Sequence, residues 1–279
     1  MSLKIPAPLV SVDWLLEHLE NDSLLILDAT IPKVGSKPTE ILEEKLQIKN
    51  AYFFDLNDFS DKDAPLPNTI LSAEKFQQKA QEFGINNNHC IVVYDDLGIY
   101  SSPRVWWMFQ LMGFENIAVL DGGFPEWKTK NYPTEKPTKQ NLSKGNFISN
   151  YQPEKIAFMK NVLENISSNS HLILDARSEG RFFGTEPEPR KEVRGGHIPN
   201  SKSLPHSAVL SGTKMKSAEE LKMIFEAKNP ENKPLIFSCG SGITASVLAL
   251  GATIADIKNH SVYDGSWTEW GLSDAPINL

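Results

Sequence analysis

Residues Leu235-Ile236-Phe237-Ser238-Cys239-Gly240-Ser241-Gly242-Ile243-Thr244-Ala245-Ser246-Val247-Leu248-Ala249-Leu250 read as a short apolar run, a glycine-rich turn and a helical stretch. The first run has the length of a buried strand and the last suits a buried helix, so the turn joins strand to helix. Cys239 ends the strand, and in open α/β sheets reactive groups collect in the crevice beyond the carboxyl ends of the strands. Gly240 and Gly242 let the backbone curl so that successive N–H groups point inward, while the N-terminus of the following helix adds partial positive charge. A cysteine in that setting is expected to ionise below the roughly 8.5 of free cysteine and to face a bound anion. Taken alone, a strand-ending cysteine is more often a packing residue. The glycine-flanked turn is what points to a nucleophile in an anion cradle.

Moving outward, the pattern occurs twice. Leu24-Leu25-Ile26-Leu27-Asp28-Ala29 matches His171-Leu172-Ile173-Leu174-Asp175-Ala176, and Ser72-Ala73-Glu74 matches Ser217-Ala218-Glu219. Asp121-Gly122-Gly123-Phe124-Pro125-Glu126-Trp127 matches Asp264-Gly265-Ser266-Trp267-Thr268-Glu269-Trp270. The offset is about 145 residues, far too long for a solenoid, so one domain stands twice in tandem. Apolar runs such as Ile91-Val92-Val93-Tyr94 alternate with helical segments, which predicts an α/β fold, each copy a parallel sheet flanked by helices on both faces. Ser217 and Glu220 form a capping box, and Gly84 closes the matching helix of the first copy. The expected division is residues 1–130, a solvated linker at 131–152 carrying Pro133, Pro137 and Gly145, and residues 153–279. The repeat places Asp95 where the second copy has Cys239, so one copy supports thiol chemistry and the other does not. Cys90 precedes its strand without glycines and reads as a buried small residue.

Composition narrows the function. The 279 residues carry 28 Lys plus Arg against 35 Asp plus Glu, a net charge of -7, with no basic cluster of the kind that nucleic acid requires. Two cysteines are too few for a disulfide framework or a zinc knuckle. The start of the chain lacks the apolar core of a secretory signal, and no run of about 18 apolar residues appears, so neither a nucleic-acid nor a membrane partner is expected and a cytoplasmic location is.

The tandem arrangement, the Cys239–Ala245 loop, the Gly196-His197-Ile198-Pro199 segment and the terminal Tyr263-Asp264-Gly265-Ser266-Trp267-Thr268-Glu269-Trp270 resemble the two-domain rhodanese superfamily, and within it the 3-mercaptopyruvate sulfurtransferases. The resemblance covers nearly the whole chain. It implies a catalytically silent first domain, a second domain whose Cys239 carries a persulfide during turnover, and no metal or organic cofactor. It also implies a small-molecule sulfur donor and an acceptor thiol such as thioredoxin, with cyanide as an artificial acceptor. Alternatives are a thiosulfate:cyanide sulfurtransferase and a persulfide carrier without small-molecule turnover.

Charge separates the relatives. A cysteine phosphatase needs an arginine at position 245 to grip a dianionic phosphoryl group, and this chain has alanine there. Family members that use thiosulfate carry cations inside the loop, whereas Gly240 and Ser241 are uncharged. The carboxylate of a mercapto keto acid then needs cations from Gly180-Arg181-Phe182-Phe183-Gly184-Thr185-Glu186-Pro187-Glu188-Pro189-Arg190, where Arg181 and Arg190 match the substrate-gripping arginines of the family. Expected catalytic residues are Cys239 and Ser241. Expected substrate contacts are Arg181, Arg190, Gly240, Gly242, Ile243 and Thr244, with Ser241 and Thr244 alternatively capping the helix. Arg177 and Arg194 are weaker candidates. Arg104 reads as a packing partner of Trp106 and Trp107, and His197 as a structural, backbone-bonded imidazole. His18 and His206 read as surface residues. Where several members place an aspartate and a histidine near the loop serine, this chain has Asn57 and Asn68, neither able to act as a general base; both are left outside the catalytic set.

Overall fold

Each apolar run of the repeat becomes a strand of a parallel sheet in the computed structural model of the chain, which describes residues 3–32, 45–137 and 142–279. The chain divides into two compact units. The first holds the chain up to Asp61, Ile70–Tyr151 and Gly212–Lys214; the second holds Lys62–Thr69, Gln152–Ser211 and Met215–Leu279.

In the first unit the strands lie in the spatial order Leu9–Val10, Ile117–Leu120, Cys90–Tyr94, Leu24–Asp28, Ala51–Phe53, all parallel. The second unit repeats that order with Ile156–Ala157, His260–Tyr263, Leu235–Ser238, Leu172–Asp175 and Ser201–Ser203. Register fixes the correspondence: Tyr94 pairs with Asp28 and Ser238 with Asp175. Asp95 and Cys239 are therefore the first residues beyond equivalent central strands, as the repeat predicted.

Central strands are covered on both faces, which is why Cys90–Tyr94 is buried at every position. On one face of the first sheet Ile26, Val92 and Ala118 meet Val12 and Leu15 of the helix Val12–Glu17 and Phe124 and Trp127 of the helix Gly123–Thr129. The second sheet answers with Ile173, Ile236 and Tyr263 against Val162, Trp267 and Trp270. Burying an aromatic of roughly 200 Å² at about 25 cal/mol per Å² stabilises by about 5 kcal/mol before conformational entropy is counted. Both tryptophan N–H groups keep partners, the carbonyls of Arg194 and Pro276. The other face receives the helix Ala245–Ile254, whose residues 245–252 are all buried, so it reads as apolar all round. The expected caps are present: Ser217 and Glu220 bond reciprocally, and Gly84 sits at φ 95°.

One expectation fails. The segment 131–152, read as a solvated linker, is packed over its later part. Phe147 is fully buried against Phe76, Phe109 and Phe114, and the N–H groups of Gly145, Phe147 and Asn150 donate to Gln81, Ile85 and Met112 carbonyls. A lone Phe147-Ile148 pair among polar residues gives no periodic signal of burial in the sequence. Positions 138–141 of that segment lie outside the described residues. Among the described residues no helix is long and apolar enough to cross a membrane.

Candidate active site

The strand Leu235–Ser238 delivers Cys239 to the carboxyl edge of the second sheet, and the turn Gly240–Thr244 leads into the helix Ala245–Ile254. Gly242 turns at φ 81°, a left-handed conformation that favours glycine, as does its counterpart Gly98 at φ 102°. Among the described residues, none of the backbone N–H groups of residues 240 to 245 donates to another protein group. The first unit shows where such a turn aims its amides. There Oδ2 of buried Asp95 accepts from the N–H groups of Tyr100, Ser101 and Ser102 at 2.9, 3.0 and 2.9 Å and from the Ser102 hydroxyl at 2.6 Å. Oδ1 takes the N–H of Leu97 at 3.0 Å. The positions equivalent to Leu97, Tyr100 and Ser101 are Ser241, Thr244 and Ala245, whose N–H groups meet no protein acceptor among the described residues.

Cys239 itself is pinned from the terminal motif. Its N–H donates to Ser266 Oγ at 3.2 Å, its carbonyl accepts from Trp267, and Ser266 Oγ lies 4.0 Å from the Cys239 sulfur while donating to the Tyr263 carbonyl at 2.7 Å. Ser266 holds φ 49° where the first copy has Gly123. The residue Cys239 is 1% exposed. The thiol at the end of this strand is thus covered by its surroundings. Half-buried Gly240, Thr244, Arg181 and Arg190 are the more accessible members of the set.

Of the two expected arginines, Arg181 reaches the loop directly and Arg190 through Thr268. Arg181 Nη2 lies against Gly240, where an added Cβ would come within 3.1 Å of it. Arg190 Nη1 reaches Thr268 Oγ1 at 3.4 Å, and that hydroxyl donates to the Gly240 carbonyl at 2.6 Å. Arg177 and Arg194 do other work. Arg177, with no side-chain exposure, is clasped by Asp175, Glu188 and the Gly196 carbonyl and lies 4.3 Å over Trp267. Burial opposes its charge, but the Asp175 and Glu188 carboxylates outweigh that and raise its pKa above the ordinary arginine value. Arg194 donates to the carbonyls of Trp270, Gly271, Ser273 and Ala275, holding the end of the chain.

Asn68 returns to the site. Its Nδ2 donates to Ser241 Oγ at 3.0 Å and approaches the Ser241 carbonyl at 3.4 Å, so the serine hydroxyl is oriented from outside its own loop. Asn57 belongs to the first unit, where its N–H donates to Asp55. Thr244 occupies the helix N-cap without a side-chain cap bond, so the capping alternative does not hold for it. Ile243 is buried, leaving its backbone as what it can offer a ligand. His197 is structural as expected, bonded to the Phe182 carbonyl and stacked on the Phe182 ring at 3.9 Å. Arg104, 1% exposed, stacks on Trp107. His18 and His206 are half-buried instead of surface residues: His18 bonds the Trp14 carbonyl and stacks on that indole, and His206 bonds the Ala176 carbonyl. Sequence reasoning missed Ser266, Thr268 and Glu188. The signal for Ser266 was a serine where the repeat has glycine.

A groove of the second unit of about 580 Å³, lined by Phe158, Asn165 and His171, involves no residue of the cysteine loop.

Fold and turn together define a tandem α/β protein that places one thiol at a turn whose N–H groups meet no protein acceptor. The chain belongs to the rhodanese family, for the Rhodanese-like domain matches residues 11–130 and again 159–273. It is 37% identical to a mouse protein named 3-mercaptopyruvate sulfurtransferase over 281 residues, 97% of this chain and 94% of that one. It is also 37% identical to an Arabidopsis thaliana protein named thiosulfate/3-mercaptopyruvate sulfurtransferase 1, mitochondrial, over 99% of this chain and 79% of that one. The crystal structure of a 3-mercaptopyruvate sulfotransferase from Escherichia coli superimposes with a TM-score of 0.83 at 32% identity, covering 94% of this chain and 99% of that one.

Proposed function

We propose that the chain is a 3-mercaptopyruvate sulfurtransferase acting through a persulfide on Cys239, with the first unit catalytically silent. The observation that carries this reading is the run of N–H groups without protein partners at residues 240 to 245, flanked by Arg181 and Arg190. The Cys239 thiolate attacks the donor sulfur, the carbon–sulfur bond breaks, and its electron pair leaves on pyruvate as the enolate, which then takes a proton. Loop N–H groups and the Ser241 hydroxyl meet the developing negative charge. Arginine's planar fork suits the donor carboxylate, which fixes the sulfur over the thiol. An acceptor thiolate, such as that of a reduced thioredoxin, or cyanide, then attacks the outer sulfur, and Cys239 leaves as the thiolate.

Side-by-side steady-state assays with mercaptopyruvate and thiosulfate test the assignment. A preference for mercaptopyruvate is expected. A large preference for thiosulfate would install the second reading, which the dual name of the Arabidopsis relative favours, and turnover of neither donor would favour a carrier. Intact mass spectrometry after donor treatment should show one added sulfur, absent from Cys239→Ser, with turnover reduced roughly 10³-fold or more. Cys90 is an internal control: it is fully buried, and burial pushes its thiol up to about 12 against a smaller opposing effect of Lys4.

A further inference from the structure

Glu188 is a buried carboxylate, its side chain 5% exposed, lying between two guanidiniums. It accepts from Arg177 Nη1 at 2.7 Å and from Arg181 Nε and Nη2 at 3.2 and 2.6 Å. Arg177 takes its second carboxylate from Asp175. Two guanidiniums and two carboxylates therefore cancel beside the cysteine loop. The Nε–Nη2 edge of Arg181, the edge best shaped for an incoming carboxylate, is already occupied by Glu188. Arg190, by contrast, forms no ion pair with a carboxylate among the described residues. Residues 239 to 245 add no charged side chain.

We infer that Glu188 is a specificity-determining residue: it holds Arg181 against Gly240 and limits the donor site to one uncancelled positive charge, which matches a donor bearing a single carboxylate and disfavours a dianion. The inference rests on the sulfurtransferase reading above and deepens it. A dianion placed opposite one net positive charge gives up its hydration for half the neutralisation a monoanion obtains, and in a partly buried site that difference is only weakly screened by salt.

The test is Glu188→Gln, which keeps size and an acceptor oxygen for Arg177 but removes the charge. With cyanide as acceptor, the ratio of kcat/KM for thiosulfate to that for mercaptopyruvate is expected to rise about tenfold, given one unit charge at this range in a partly screened site. Glu192→Gln makes the same change in net charge at an exposed position and should leave the ratio within about twofold. Glu188→Asp, which retains the charge, should also keep the ratio even if both efficiencies fall. Protection of Cys239 from alkylation by pyruvate and by sulfate repeats the comparison without turnover, and sulfate should gain in Glu188→Gln. Should that variant fail to fold, Arg190→Gln leaves the buried pairs intact and should cost thiosulfate more than mercaptopyruvate. Equal losses for both donors in Glu188→Gln, or in Arg190→Gln, would overturn the inference and leave Glu188 a structural brace. Turnover of neither donor by the unaltered chain would instead overturn the functional reading on which it rests.

Discussion

The two copies present the same strand-to-helix turn and differ in what fills it. In the first, Asp95 folds back and its own carboxylate takes the Leu97, Tyr100, Ser101 and Ser102 N–H groups. In the second, Cys239 stands at that position, and the corresponding N–H groups of Ser241, Thr244 and Ala245 meet no protein acceptor. A turn that converges several N–H groups demands an anion, because leaving buried donors unsatisfied costs about 1–3 kcal/mol each. One copy supplies that anion from its own chain; the other supplies none, and on the proposed function a thiolate or a ligand takes the place.

That contrast breaks most readily at Asp95. Asp95→Ala strips several buried donors of their acceptor and should destabilise the first unit by about 3 kcal/mol, while any folded fraction keeps its sulfur transfer. Urea unfolding followed by tryptophan fluorescence measures the loss, and an unchanged midpoint would mean that this turn does not need its anion. Next comes Ser266, the serine that replaces Gly123. Ser266→Ala keeps the left-handed backbone but loses the bonds to Tyr263 and to the Cys239 N–H, at a cost of about 1–2 kcal/mol and a lower kcat. Ser266→Gly loses the same bonds but relaxes the backbone, so it should recover up to about 1 kcal/mol. Equal stabilities of the two variants would remove strain from the account. The smallest effect belongs to Asn68. Asn68→Ala should lower kcat a few-fold with KM nearly unchanged, and combining it with Ser241→Ala should add little, since the two act as one unit.

Much of this was legible in the sequence. The duplication, the parallel sheets and the cysteine turn follow from the repeat, from hydrophobic periodicity and from glycine placement, because element type and turn geometry are largely set by local sequence. Arg181 and Arg190 were legible through resemblance, and the structure sets Arg181 against Gly240 and Arg190 against Thr268, whose hydroxyl meets the Gly240 carbonyl. What stayed hidden depends on contacts between distant stretches. Nothing about Glu188 in its proline-flanked loop announces that two arginines close on it, and Thr268 looks like any helix threonine until its hydroxyl meets the Gly240 carbonyl. Burial of Phe147 was equally unreadable, since it stands outside any periodic apolar run and its partners lie far off in the chain.

The stretch Lys62–Thr69 belongs by its contacts to the second unit although it lies within the first copy of the repeat. A gene fragment beginning at Gln152 would therefore encode the cysteine and both arginines yet omit the asparagine that orients Ser241. The half that has Asp95 in place of Cys239 thus lends its twin a side chain that the twin's own sequence lacks, and trimming the chain to residues 152–279 would discard it.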